Sequence, residues 1–146
     1  MKRIHSNLSQ KTLDARASYR DRIDLLRSRA SLLTGRDKVL MTMYLENGNS
    51  FRQLARLAGV SETNIARRIR KLTRGLTDGK YITCIRNRER FTGIEMSIAK
   101  DYFLTGLSMK KTASKRRLSY YCVRETLKKI QLTIDIIKTI RNSKAG

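Results

Sequence analysis

Proline and tryptophan are absent from this chain of 146 residues, histidine occurs once, as His5, and cysteine twice. Without proline, and with few long runs of alternating apolar and polar residues, helices are favoured over a β-sandwich or barrel. Cys84 and Cys122 have no C-x-x-C or other metal-ligand spacing, and a zinc site needs four well-placed ligands. No metal or other cofactor is therefore expected, and both thiols are read as reduced. Acidic residues are scarce, with 12 Asp+Glu against 33 Lys+Arg. No carboxylate cluster resembles a metal-dependent nuclease site and no nucleophile has a partner base, so neither catalytic residues nor a small-molecule substrate is expected. No window approaches the roughly 20 apolar residues of a membrane span. Met1-Lys-Arg is basic, but no apolar run follows it, so a signal peptide is not expected and a cytoplasmic, nucleoid-associated location is.

What remains is a basic chain able to fold. Hydrophobic residues make up 40%, enough for a packed core, and the formal net charge is +21. Residues 1–35 carry 8 basic and 3 acidic residues, 36–92 carry 13 and 5, and 93–146 carry 12 and 4. The excess is spread along the chain and does not form a single tail. Such a surface suits a long polyanion, because each phosphate neutralised releases condensed counterions.

The pattern predicts an all-α protein, with an N-terminal helix followed by two tandem three-helix helix-turn-helix units. Residues 1–35 are read as a basic segment, loose over 1–8, with one amphipathic helix over 9–33 that carries Leu13, Ile23, Leu26, Ala30 and Leu33. Asp14, Asp21 and Asp24 are read as solvated charges paired with Arg16, Arg20 and Arg27. From Thr34 on, the sequence repeats at a shift of 58 without a gap. Thr34 meets Thr92, Gly35 meets Gly93, Tyr44 meets Tyr102, Gly48 meets Gly106, Ser50 meets Ser108, Ala55 meets Ala113 and Ser61 meets Ser119. The first unit is placed at 36–76, a linker at 77–92, and the second unit with a C-terminal helix at 93–146. Within the linker, Tyr81–Ile85 has strand propensity and is read as a short wing or an extended stretch, the latter favoured. In the tail, Leu132, Ile134, Ile136, Ile137 and Ile140 are expected to dock on the body of the protein.

Residues 51–72 meet the steric needs of a helix-turn-helix. Ala55 is small where the helices approach, Gly59 suits a left-handed turn, Val60 and Ile65 are expected to plug the angle, and Ser61 caps the second helix. Leu54, Ala58, Ile69 and Leu72 would complete the apolar face. In the copy at 109–130, Ala113, Ser119, Leu118, Val123, Leu127 and Ile130 serve, while Arg117 replaces the turn glycine. The N-terminal turn of a recognition helix meets base edges in the major groove. Glu62, Thr63, Asn64 and Arg67 are the candidate base readers of the first copy, and Tyr120, Tyr121, Arg124 and Glu125 those of the second. Arg67 suits the O6 and N7 of guanine, Asn64 suits adenine, and Glu62 suits the amino group of cytosine. Phosphate contacts are assigned to Arg52, Arg56, Arg68, Arg70, Lys71, Arg74, Lys110, Lys111, Lys115, Arg116, Arg117, Lys128 and Lys129.

The stretch Ala55-Arg-Leu-Ala-Gly-Val-Ser-Glu-Thr-Asn-Ile-Ala-Arg-Arg-Ile-Arg-Lys-Leu72 resembles the helix-turn-helix with which bacterial sigma factors read the upstream promoter element. It shares Gly-Val-Ser before the recognition helix, then Ile65, Ile69 and Leu72 with basic residues between. The resemblance covers about 36–76, with an echo at 93–130. It implies that residues 62–64 and 66–67 face bases and that RNA polymerase is a partner. Sigma factors also carry a larger promoter-melting domain. The roughly 35 residues before the first unit lack its aromatic clusters, so a small bacterial or phage regulator of sigma-like type is the reading.

The expected function is sequence-specific binding of double-stranded DNA through both motifs, as a transcription regulator. Two alternatives stay open: an RNA- or ribosome-associated basic protein, and the DNA-binding part of a recombinase or transposase.

Overall fold

A computed structural model describes residues 9–145, and among these there is no strand. The all-α expectation holds. The loose end expected at 1–8 lies outside the described residues. Two compact units divide the chain, one up to Ile65 and the other from Ala66 onward.

In the first unit, helix α1 spans Gln10–Arg29, opened by Ser9, whose hydroxyl accepts the Thr12 N–H. A 3-10 turn, Ala30–Leu32, leads to α2, Gly35–Leu45, and α3, Phe51–Ala58. Helices α1 and α3 each pack on α2, around buried Leu26, Leu33, Met41, Leu45, Leu54 and Ala55. Much of α1 stays outside this core: Leu13, expected on its apolar face, is exposed. Arg27 ties the helix ends by donating from Nη2 to the Leu45 carbonyl at 3.2 Å and lying 3.5 Å from Glu46.

Helix α4, Glu62–Asp78, begins in the first unit and runs on in the second. There follow α5, Lys80–Arg86, a 3-10 turn, Arg88–Arg90, and α6, Gly93–Ala99. A π-helical turn over Lys100–Leu104 leads to α7, Met109–Arg116, and α8, Tyr120–Ala145. Helix α8 is the spine of this unit. Helices α5, α6 and α7 lie against it, and Val123, Leu127, Ile130, Ile134 and Ile137 form its buried side.

Residues 80–86 are therefore neither wing nor linker. The β-branched run Ile82-Thr83 and Ile85 suggests a strand locally. Tyr81 and Cys84, three apart, are both buried, and that burial selects the helix. Three further expectations give way. Val60 is 46% exposed and Ala58 is also exposed, so neither completes an apolar face. Leu118 is only half-buried. In the tail Ile134 and Ile137 dock, while Leu132, Ile136 and Ile140 point away from the body, because the buried side of a helix takes only about a third of its circumference.

The repeat is carried into the backbone in register. Shifting Phe51–Ala58 by 58 gives Met109–Arg116, the bounds of α7, and the starts of α2 and α4 land on the starts of α6 and α8. Gly48 and Gly106 both have positive φ, and the amide one residue on reaches back six residues in each case: Asn49 N–H to the Met43 carbonyl and Leu107 N–H to that of Asp101. Ser50 and Ser108 accept the amides of Gln53 and Lys111. Gly59 and Arg117 are both left-handed, at φ 69° and 57°, and Val60 and Leu118 donate to the carbonyls of Ala55 and Ala113. Ser61 and Ser119 then cap the next helices through Asn64 and Cys122. Thr92 and Glu95 form a capping box.

Candidate nucleic-acid interface

On α4, the buried side is Ile65, Ile69, Leu72 and Leu76. At 100° per residue, Arg67, Arg70, Lys71 and Arg74 share another face, since they are spaced three and four apart. All four are exposed and make no ion pair among the described residues. Glu62, Thr63 and Asn64, at the helix start, are exposed as well. Arg52 and Arg56 on α3 are exposed and make no salt bridge among the described residues. Arg68 differs. It is half-buried and donates from Nη1 to the Thr105 carbonyl at 2.8 Å, so it braces α4 within the second unit.

The second copy places different chemistry at the same positions. Arg67, Arg70, Lys71 and Arg74 correspond to Glu125, Lys128, Lys129 and Leu132. Lys128 lies 3.7 Å from Glu125, and Lys129 lies 2.9 Å from Glu95. Arg124 is 3.5 Å from Glu125 and stacks on Tyr121 with its guanidinium 5.6 Å from the ring centre, while its buried Nε has no hydrogen-bond partner among the described residues. Tyr120, Tyr121 and Cys122 are exposed. A run of free cations in the first copy is thus a largely neutralised and partly apolar run in the second.

The turn after α7 carries the same contrast. Asp101 is 1% exposed and accepts from Arg116 at 2.7 and 3.1 Å and from Lys115 at 3.0 Å. Burial pushes its carboxyl up, but the hydrogen bonds and charges of Arg116 and Lys115 outweigh this and hold it below the usual carboxylate range. Glu95 behaves alike. Burial raises it, and bonds from the Thr92 backbone N–H and Lys129 bring it below its ordinary value. Lys115, Arg116, Lys128 and Lys129, expected on phosphates, are therefore engaged with carboxylates. Lys110, Lys111 and Arg117 remain exposed and make no ion pair among the described residues. Sequence reasoning missed Asp101. The only signal was the coincidence of an acid at 101 with cations at 115 and 116 where the first copy has Met43, Leu57 and Ala58.

Cys84 is fully buried and its thiol is pushed up to about 11 by desolvation. Among the described residues no group of three or more His, Cys, Asp or Glu is arranged to hold a metal ion, and no helix is long and apolar enough to cross a membrane. Comparison with protein-family models, with curated proteins and with solved structures found no match for the chain.

Proposed function

We propose that the chain binds double-stranded DNA sequence-specifically through two tandem helix-turn-helix motifs and regulates transcription, with RNA polymerase as a partner and the nucleoid as its place. The observation that carries this reading is the face of α4. Its first turn offers Glu62, Thr63 and Asn64, and Arg67, Arg70, Lys71 and Arg74 follow, exposed and with no ion pair among the described residues. A helix is about 10–12 Å across and the major groove about 12 Å wide, so a single helix fits with its first turn at the base edges. From Arg67 to Arg74 the rise is about 10 Å, which spreads the cations along the groove toward phosphates.

In this reading the two copies share the work unequally. The first supplies most of the free charge. The second offers Tyr120, Tyr121 and Cys122 at the corresponding helix start, with Lys110, Lys111 and Arg117 around its turn. Two half-sites of different sequence follow, and linkage on one chain raises the effective concentration of the second contact.

The experiment is selection from a random duplex library at near-physiological salt with structured RNA as competitor. A recovered two-part motif is the expected result. Recovery of no motif, with RNA competing as well as DNA, would replace sequence reading by electrostatic RNA association.

A further inference from the structure

In the unit from Ala66 onward, a cleft of about 360 Å³ opens between α4 and the segment that joins the π-turn to α7. Lys71 and Arg74 stand on one side, Lys80 at the start of α5, and Tyr102 and Phe103 on the other side. Two glycines shape its walls. A Cβ on Gly75 would lie 2.1 Å from the Leu104 carbonyl oxygen, and one on Gly106 would lie 3.2 Å from the Lys71 Cβ. The backbone is thus packed tightly beside the cleft, while the cleft itself stays open.

The chemistry of the lining is one-sided. Lys71 and Arg74 have no anionic partner among the described residues, and the Lys80 ammonium sits 5.3 Å over the Phe103 ring. Asp78 is the one acid in the lining, and its carboxylate accepts the backbone N–H of Lys80. Three cations beside two half-buried aromatic rings match a phosphate joined to a flat, stackable group. The volume lies near the lower end of small-ligand clefts, about 300–1,000 Å³, which suits one nucleotide.

We propose that this cleft is a nucleotide-binding site, with Lys71, Arg74 and Lys80 on the phosphate and Tyr102 or Phe103 against the sugar or base. The nucleotide comes from a nucleic-acid strand or from solution. The first source rests on the DNA-binding reading above, and the second does not.

The full-length chain and two triple variants separate these sources. K71Q/R74Q/K80Q removes the three cations of the cleft and leaves Asp78 as its only charge. R16Q/R20Q/R22Q removes the same charge from exposed positions on α1. Each is titrated with a duplex of roughly 20 base pairs, about two helical turns, and with ATP, and circular dichroism checks folding. For the strand source, K80Q, outside the cation run of α4, by itself weakens duplex binding and lowers the salt slope by about 1, the full cleft variant weakens binding about tenfold, and the α1 variant changes both far less. For the solution source, ATP binds the wild type and the α1 variant but not the cleft variant, and K80Q alone, which keeps Lys71 and Arg74 on the face of α4, weakens ATP binding without changing duplex binding. If both triples weaken duplex binding equally and neither affects ATP, the site is overturned even though DNA binding stands. If the wild type ignores duplex but binds ATP through the cleft, the DNA reading falls and the site stands. Should the cleft triple unfold, R74Q, at an exposed position, carries the same readouts.

Discussion

Gly75→Ala tests how α4 is seated in the second unit. Inside a helix, alanine normally exceeds glycine by about 1 kcal/mol. Here the added Cβ would meet three backbone atoms, the Leu104 oxygen at 2.1 Å, the Phe103 oxygen at 2.7 Å and the Leu104 carbonyl carbon at 2.8 Å. Backbone cannot swing aside as a side-chain tip can, so α4 or the π-turn has to move by about 1 Å. Overpacking of this kind costs about 1–3 kcal/mol, occasionally more. With the upper end applying and the propensity gain subtracted, the net loss is about 2 kcal/mol, a fall in melting temperature of about 10 °C for a unit of about 80 residues. Urea denaturation followed by circular dichroism measures it. Gly93→Ala is the control, since no atom lies within 4 Å of its Cβ and its φ is not positive, and it should leave stability unchanged or slightly raised. A Gly75→Ala protein as stable as the wild type would refute the close seating of α4 on the Leu104 carbonyl.

Arg117→Gly should stabilise by about 1 kcal/mol, because a left-handed non-glycine residue costs about 1–2 kcal/mol and the added chain freedom returns part of that; an unchanged urea midpoint would count against strain at this turn. The folded-state carboxyls of Asp101 and Glu95 lie below their ordinary values, so their stabilisation is full above the unfolded carboxylate range, near pH 4, and is lost as pH falls through the depressed values. Asp101→Asn should flatten that acid loss in a pH series of melting temperatures, and an unaltered slope would sink the assignment. A thiol reagent should label Cys122 quickly and Cys84 only on unfolding, and duplex DNA should shield Cys122; equal rates at both would contradict the burial of Cys84. Arg67→Ala should cost about 1–3 kcal/mol of duplex affinity and relax preference at one base position, whereas uniform weakening across sequences would make Arg67 a phosphate contact.

Much of the local structure was legible in the chain. Ser50, Ser61, Ser108 and Ser119 act within three residues of themselves, and Gly48, Gly59 and Gly106 answer backbone angles set by their immediate neighbours, so sequence carries these features directly. Helix α5 was not legible because its β-branched residues favour strands locally, and the burial of Tyr81 and Cys84 that decides the matter comes from residues distant in sequence. The candidate interface was half legible. The free cations of α4 follow from helical periodicity. The pairing of Lys129 depends on Glu95, more than thirty positions away, and Asp101 meets its partners across an intervening turn. Pairing over such distances leaves no periodic trace.

The triad of Asp101, Lys115 and Arg116 sets a limit on recombination between the copies. The backbone registers match, so the eight residues of α3 and α7 look interchangeable as modules. Yet a chimera that set Phe51–Ala58 in place of Met109–Arg116 would bring Leu57 and Ala58 beside a buried carboxylate and leave it without a counter-charge. Asp101 would have to be replaced in the same step, by methionine as at position 43. Matching backbone therefore does not make the two units exchangeable: at this corner a working exchange has to carry three residues together.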